Sequence, residues 1–437
     1  GLDAWKEASM GNWNRRSLLG ALGALPLAAG MGSSSAPKLM GRRGRAVVVG
    51  AGAFGGWTAL MLQRRGFQVT LVDTWGPGNS RASSGGDSRV IRGMYGPDEI
   101  YTDWVVRAFE IWLEEISRWK LELYHPTGAL WMFRGDDGYA RTSLPFLKSA
   151  GLPVEALTPS EAAKRWPQVV FEGVRSVYFE QKAGYLDARL ACQTVAEGLV
   201  KEGGELVLAE ARPGAREGSR LRSVELSGGR RLEADLFVFA CGPWLGKAFP
   251  AEVGSKIRPT RQEVFYFGPP ASPSPWQEGS FPVWIDFGER IFYGIPGNRY
   301  RGFKVADDTH GEEVDPTTLE RRPSQEALNR ARGLLAERFP GLDSAPLLEA
   351  RVCQYENTPD GHYLLDRHPE LENLWLAGGG SGHGFKLGPA VGEHMAALVA
   401  GDAEPLPRFS LARLRKLDSG SEASQLESGG PGTEGKT

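Results

Sequence analysis

The apolar positions near the start of the folded part of the chain form two short runs with a longer amphipathic stretch between them. Residues 45–49 are a β-branched run that ends at Gly50, a helical stretch then reaches Arg65, where Gly66 can end it, and residues 67–72 are a second apolar run. This order predicts a strand, a helix and a strand. Residues 205–209, 235–240 and 373–377 are predicted as further buried strands of the same sheet.

Two segments between these runs have a different character. Residues 95–180 and 255–345 carry many aromatic side chains, alternating patterns and turn sequences such as PTG at 126–128 and PGN at 296–298. A second, mostly antiparallel domain built from these two insertions fits this pattern best. The sequence therefore predicts an α/β fold, in which the segments 42–94, 181–254 and 346–410 form the first domain.

The N-terminal segment has the layout of an export signal. The residues Asn14-Arg15-Arg16 precede an apolar run over 17–30, which is too short to span a membrane comfortably. Paired arginines before such a run resemble a twin-arginine signal. We expect residues 1–41 to be an export signal and linker, and the protein to be periplasmic or exported; if this interpretation is wrong, the protein is cytoplasmic.

The C-terminal segment 411–437 is predicted as a disordered tail. Its last nineteen residues, 419–437, are rich in Ser, Gly and Glu and contain almost nothing apolar, so they cannot build a packed core. No stretch of the sequence predicts a stable membrane span.

Composition narrows the class of protein. The 437 residues include 51 Lys and Arg against 53 Asp and Glu, a net charge of −2, and 41% are apolar. This near balance argues against a broadly basic surface, so we expect no nucleic-acid partner. The three cysteines are widely spaced and the six histidines have no metal-ligand spacing, so neither a disulfide framework nor a catalytic metal is expected.

A dinucleotide fingerprint follows the first predicted strand. The sequence GAGAFG, which spans Gly50, Gly52, Phe54 and Gly55, opens the predicted helix, and Asp73 ends the next strand. The glycines allow a tight turn and let backbone N–H groups approach a pyrophosphate, while the Asp73 carboxylate can accept hydrogen bonds from ribose hydroxyls. Because Asp73 disfavours a 2′-phosphate, FAD and NAD both remain open at this point.

Later motifs carry a family resemblance. They are SSGGDSRVIR at 83–92, CQY at 353–355, DGHYLLD at 360–366 and AGGGSGHGFK at 377–386. With the fingerprint, and in the same order and spacing, these blocks resemble the monomeric sarcosine oxidase family of FAD-dependent amine oxidases from about Arg45 to Gly401. The resemblance implies a Rossmann-type, glutathione-reductase-like FAD-binding domain and a substrate domain of mixed, mostly antiparallel sheet over 95–180 and 255–345.

The resemblance also implies a reaction. Such enzymes oxidise a secondary amino acid, either N-alkylated or cyclic, to an imine, and O₂ is reduced to H₂O₂. The expected cofactor is FAD, and the expected partners are a small-molecule amino acid and O₂, with the protein acting as a monomer. A helix over about 388–400 would point its positive end toward the flavin.

Individual residues match family positions with assigned roles. Cys353 matches the cysteine that bonds the flavin 8α carbon, and Lys304 matches the lysine that promotes the reaction with oxygen, where an ammonium stabilises the negative charge that forms. Arg92 and Lys386 match the residues that hold the substrate carboxylate, and Tyr355 and Tyr293 match aromatic positions around the substrate. The cofactor-binding residues implied in this way are Gly50, Gly52, Phe54, Gly55, Asp73, Ser83, Arg89, Cys353, Gly382, Gly384 and Lys386.

Three departures from the family pattern concern the substrate. Asp308 stands where sarcosine oxidase has a histidine four residues after the oxygen-activating lysine, Phe292 replaces a pocket tyrosine, and Ser84-Gly85 replaces a His-His pair. We therefore expect a larger or additionally cationic N-substituted amino acid rather than sarcosine. Two alternatives remain: an FAD-dependent dehydrogenase that passes electrons to a quinone or a protein, and a non-catalytic nucleotide-binding protein.

Overall fold

A computed structural model describes residues 43–271, 273–298 and 301–418 of the chain. The predicted export signal lies outside these residues, as does the part of the predicted tail beyond residue 418, and both stay predictions. Within the described residues, no helix has both the length and the apolar character needed to cross a lipid bilayer.

The first sheet is built around the strand Arg45–Val49, which is buried at four of its five residues and pairs in parallel on both sides. Near-continuous apolar runs of this kind are typical of parallel strands that are covered on both faces. The five strands predicted for this sheet are confirmed, and an antiparallel edge strand, Leu364–Arg367, completes it. In spatial order the strands are Leu364–Arg367, Leu374–Gly378, Leu236–Phe239, Arg45–Val49, Gln68–Asp73 and Glu205–Leu208.

Two helices pack closely beside this sheet. The predicted helix after the glycine turn spans Ala53–Arg64, and it contacts the helix Gly388–Ala400, which begins and ends where the sequence predicts. A Cβ atom at Gly392 would lie 2.5 Å from the Cβ of Trp57, so the glycine permits the close approach. The α-helices are Ala53–Arg64, Glu99–Trp119, Gly138–Ser149, Pro159–Arg165, Ala188–Lys201, Leu245–Ala248, Gln325–Arg338, Gly388–Ala400 and Leu411–Asp418.

The second large sheet is mostly antiparallel, as the turn-rich segments predict. Its one parallel pair joins Ala129–Phe133 to Val283–Phe287. The strands in spatial order are Leu347–Asn357, Arg258–Phe267, Phe303–Asp307, Ile291–Ile295, Val283–Phe287, Ala129–Phe133, Ser176–Glu180 and Val154–Leu157. Three small sheets consist of Ser88–Ile91, Gly184–Asp187 and Tyr124–His125; of Ala211–Pro213, Ser223–Leu226 and Arg231–Glu233; and of Arg216–Glu217 and Arg220–Leu221.

The edge strand Leu347–Asn357 brings the CQY motif into the second sheet. It pairs with Arg258–Phe267 in antiparallel register, with Cys353 opposite Gln262. The sequence assigns residues 346–410 to the FAD-binding domain. In the structure, however, this strand of the segment belongs to the second sheet. The division into domains otherwise stays a prediction.

The predicted start of the disordered tail is wrong. Residues Leu411–Asp418 form a helix, and Leu411 and Leu414 are buried in the apolar cluster beside the first sheet. Two leucines three positions apart lie on one face of a helix and can be covered together. The stretch rich in Ser, Gly and Glu begins only after this helix, at residue 419.

A half-buried charge cluster connects one of the small sheets to a loop near residue 278. The two ring nitrogens of His125 lie 3.0 Å from a carboxylate oxygen of Asp187 and 3.2 Å from one of Glu278, and the ring stacks on Tyr185 at 4.3 Å. Burial opposes a charge on the imidazole, but the hydrogen bonds to Asp187 and Glu278 outweigh it and raise the pKa of His125 to about 9. The cluster therefore stabilises the fold as an imidazolium between two carboxylates.

We expect this cluster to make stability depend on pH. Because the folded pKa lies above the ordinary value of 6.5, the contribution is complete below pH 6.5 and is lost as the pH rises through 9. Replacing His125→Gln should lower the free energy of unfolding by on the order of 2 kcal/mol at pH 6. Urea denaturation of both proteins at pH 6, 7.5 and 9.5 measures this difference, and a difference that does not shrink toward pH 9.5 contradicts the assignment.

Candidate active site

The glycine turn joins the first strand to its helix in a conformation that other residues resist. Gly50 has φ +107°, and a Cβ atom there would overlap the carbonyl oxygen of Ala240. A Cβ atom at Gly55 would overlap the carbonyl oxygen of Gly50. The helix begins at Ala53, and the first N–H groups of a helix have no partner inside the helix, so the turn presents amides that suit a phosphate.

Asp73 closes the turn from the neighbouring strand. Its carboxylate accepts hydrogen bonds from the backbone N–H groups of Ala51 at 2.8 Å, Trp75 at 2.9 Å and Gly76 at 2.8 Å. Burial raises the pKa of Asp73, and these three N–H groups partly offset that effect. The residue predicted to bind a ribose is thus held rigidly at the carboxyl end of its strand.

A cavity of about 390 Å³ opens at this turn. It reaches from the first sheet to the glycine-rich loop at residues 380–384 and to Tyr355. Its volume falls in the usual range of small-molecule sites. The predicted cofactor-binding residues that line it are Gly50, Gly52, Phe54, Asp73, Ser83, Arg89, Gly382 and Gly384.

The chemistry of this lining fits a dinucleotide with a flavin. The helix amides suit a pyrophosphate, Asp73 suits ribose hydroxyls, and Arg89 supplies a cation at the far end. Of the remaining predicted cofactor-binding residues, Gly55 packs against the Gly50 carbonyl oxygen, which leaves no room for a side chain. Cys353 contacts two lining residues, and Lys386 lines a second cavity.

The second cavity, of about 70 Å³, adjoins the first and shares Arg89, Gly382 and Phe385 with it. Its lining combines aromatic and aliphatic side chains with charged ones. The structure brings the predicted residues Arg92, Lys386 and Tyr293 together here. The lining residues that the sequence did not single out as site residues are Val90, Trp131, Tyr139, Ile285, Phe287, Ile291, Asp308, His383 and Phe385.

Two cations, the half-buried Arg92 and the buried Lys386, line this cavity close to one another. The Arg92 guanidinium is 4.8 Å from the centre of the Tyr95 ring, and the Lys386 Nζ is 5.0 Å from the same ring. Lys386 donates a hydrogen bond to the carbonyl oxygen of His383 at 2.9 Å. Burial, and then the charge of Arg92, lower the pKa of Lys386 well below its usual range. An anion bound between the two would relieve this repulsion.

His383 supports this lysine as a neutral side chain. Its Nε2 lies 3.0 Å from the carbonyl oxygen of Gly361, which can only accept, so Nε2 carries the proton. Its Nδ1 then accepts a hydrogen bond from the Tyr363 hydroxyl at 2.9 Å. Burial, and then the charge of Lys386, lower the pKa of His383 well below its usual range. The SGHG sequence around His383 is the signal that could have identified it.

An acidic group faces the two cations from the second sheet. The Tyr355 hydroxyl donates a hydrogen bond to Asp308 at 2.5 Å. Burial raises the pKa of Asp308, and the bond from Tyr355 partly offsets this. Burial also raises the pKa of Tyr293 to about 12, against the charge of Arg89. The two predicted tyrosines therefore lie beside the family departure at Asp308.

Lys304, Arg89 and Cys353 meet beside the first cavity. Lys304 is 1% exposed, and its Nζ donates to the carbonyl oxygen of Ser88 at 3.1 Å. Arg89 donates to the same oxygen at 2.9 Å and to the Cys353 sulfur at 3.4 Å. Burial, and then the charge of Arg89, lower the pKa of Lys304 to about 7. The sulfur thus lies in positive surroundings, as a thiolate requires.

Among the residues that the structure describes, no group of three or more His, Cys, Asp or Glu side chains is arranged to hold a metal ion.

Comparisons with known proteins agree with this arrangement. The family model described as DAO, FAD dependent oxidoreductase, matches residues 45–398. The chain is 30% identical to a monomeric sarcosine oxidase from Bacillus sp. (strain B-0618), over 81% of this chain and 91% of the relative. It is 29% identical to a monomeric sarcosine oxidase from Arthrobacter sp. (strain TE1826), over 84% of this chain and 95% of the relative.

The solved structure of L-proline dehydrogenase from P. horikoshii has a similar fold, with a TM-score of 0.75 at 22% identity, and the match covers 86% of this chain and 99% of that one. The resemblance inferred from the motifs is confirmed. Because the family match spans most of the chain and the sarcosine oxidases are covered almost end to end, the chain belongs to the DAO family of FAD-dependent oxidoreductases.

Proposed function

We propose that the protein is an oxidase of secondary amino acids, N-alkylated or cyclic, that produces an imine and H₂O₂. The observation that carries this proposal is the pair formed by the half-buried Arg92 and the buried Lys386, two cations in a small aromatic cavity that adjoins the dinucleotide cavity. The relatives named sarcosine oxidases support the amine substrate. As part of the proposal, the first sheet belongs to a glutathione-reductase-like FAD-binding domain, and the protein acts as a monomer.

The cation pair supplies substrate orientation. A guanidinium can bind both oxygens of a carboxylate, and an ammonium adds a point charge, so Arg92 and Lys386 would hold an amino acid by its acid end. The rest of the substrate then lies among Trp131, Tyr139 and Phe287, which exclude water from its alkyl groups. Bound FAD supplies the acceptor of the hydride from the substrate carbon and passes the electrons to O₂.

Cys353 is proposed as the covalent attachment point of the cofactor. Its sulfur contacts Arg89, and the Ser83 carbonyl oxygen lies 3.7 Å from it. The Arg89 cation thus lies beside the sulfur that would bond to the flavin. Lys304, on the strand Phe303–Asp307, is proposed to stabilise the negative charge that forms as O₂ is reduced.

We expect acid to leave the flavin on the protein. After precipitation with trichloroacetic acid, the yellow colour should stay in the pellet of the wild-type protein and pass into the supernatant for Cys353→Ser. Absorbance at 450 nm of both fractions measures this. Cys241→Ser is the matched control, because Cys241 also lines the large cavity but is not proposed to bond to the flavin. The colour of this variant should stay in the pellet. Colour released by the wild-type protein contradicts the attachment.

We expect Lys304→Met to slow reoxidation by O₂ by about 100-fold or more, because the fixed positive charge is lost. Anaerobic reduction by substrate should change much less. Lys304→Arg keeps the charge and should retain more of the rate. Stopped-flow absorbance of the flavin measures both half-reactions.

Measuring the peroxide that each protein forms separates the oxidase from a dehydrogenase, the activity for which the P. horikoshii protein is named. An oxidase forms one H₂O₂ for each imine in air. If peroxide is absent and a soluble quinone accepts the electrons equally well with and without Lys304, the dehydrogenase is the correct assignment.

We propose that Asp308 selects substrates that carry a second cationic group. Asp308→Asn should lower kcat/KM for N-methyllysine by about tenfold or more, because the charged hydrogen bond between Asp308 and the terminal ammonium of the substrate is lost. It should change the value for N-methylnorleucine, which lacks the terminal ammonium, by much less. Peroxide release measures both rates, and an equal loss for both substrates refutes the selection.

A further inference from the structure

A glutamate in the wall of the dinucleotide cavity has no part in the reaction proposed above. Glu356 lies beside Tyr355 on the strand Leu347–Asn357, lines the large cavity and is only 9% exposed. Its Oε1 accepts a hydrogen bond from the Gly380 N–H group at 3.2 Å. Its Oε2 is shielded from solvent and has no hydrogen-bond partner in the described part of the chain.

Among the residues that the structure describes, Glu356 forms no ion pair with a lysine or an arginine. Oε2 lies against the turn at Gly242, where an added Cβ atom would be 2.8 Å away, and the residue opposite Glu356 on the neighbouring strand is Pro259. The half-buried Cys241 thiol lies nearby. Burial raises its pKa, and the charges of Asp73 and Glu356 add to that effect. For Glu356 itself, burial is the main factor that opposes a negative charge.

This environment favours the neutral acid. Burial raises the pKa of Glu356 to about 7, and the Gly380 N–H group offsets only part of that effect. A neutral carboxylic acid can donate one hydrogen bond, whereas a carboxylate can only accept. A dinucleotide in the same cavity adds two phosphate charges, which disfavour a carboxylate still further.

We propose that Glu356 is a further FAD-binding residue that holds the cofactor as a neutral acid, donating its proton to an oxygen atom of the dinucleotide. A buried polar atom without a partner is costly, and the cofactor is the group that can supply one. The proposal rests on membership in an FAD-dependent family. It does not depend on the amine substrate or on the reaction with O₂, so its test uses no turnover.

The test measures how tightly FAD is held as the pH changes. All proteins carry Cys353→Ser, so that FAD can exchange, and the Kd for FAD is measured by ultrafiltration and absorbance at pH 6.5, 7.5 and 8.5. In this parent, Glu356 is ionised above about pH 7 and must regain its proton before FAD can bind. The Kd should therefore rise by roughly tenfold per pH unit above that pH. With Glu356→Gln, which keeps a donor and cannot ionise, the rise of the Kd per pH unit should be at least about threefold smaller than in the parent. Lys304, whose pKa is also about 7, is present in both proteins, so its effect cancels in the comparison.

Glu210→Gln is the matched control, since Glu210 is an exposed glutamate at the rim of the same cavity. It should show the pH dependence of the parent. The proposal is overturned if Glu356→Gln and the parent have the same slope, or if the Kd of the parent is constant or falls as the pH rises.

If Cys353→Ser protein does not fold with FAD, thermal unfolding of the holoprotein with Cys353 intact provides the measurement. Between pH 6.5 and 8.5, the Tm of the protein that retains Glu356 should fall more than the Tm of the Glu356→Gln variant. Equal changes in Tm also overturn the proposal.

Discussion

The hydrogen bonds of the half-buried Arg89 guanidinium are the interactions on which the rest of the site depends. It donates hydrogen bonds to the carbonyl oxygens of Ser83 and Ser88 and to the sulfur of Cys353, at 2.7, 2.9 and 3.4 Å. It also lines both cavities. These partners are two carbonyls and a thiol, which do not cancel its charge. Arg89 therefore fixes the loop after the first sheet against the edge strand of the second sheet and leaves a positive charge where the cavities meet.

The same layout explains why both lysines of the site have lowered pKa values. For each lysine, burial is the largest cause and one arginine the next, Arg89 for Lys304 and Arg92 for Lys386. The two lysines are buried and the two arginines half-buried, and four cations so close together are costly without anions. The substrate carboxylate, and the negative charge formed in the oxidation, are the anions that this arrangement is suited to receive.

The first sheet could be predicted because its signals are local. Residues 45–49 are apolar throughout and lead directly into a glycine turn, so the strand, the turn and the helix each follow from neighbouring residues. The strand Leu347–Asn357 carries no such signal, because buried Gln354 and Glu356 make it resemble a polar segment. Its membership in the second sheet follows from pairing with residues nearly one hundred positions earlier.

By itself the sequence determined the glycine turn, the place of Asp73 and the identities of the cations, because each depends on residue type and on spacing within a short segment. Tertiary structure decided which of them meet. Trp131 and Asp308 come from segments far apart in the sequence, and only the pairing of the second sheet brings them to one cavity. The isolation of Glu356 was likewise decided by packing, since whether a polar atom has a partner depends on every chain segment around it.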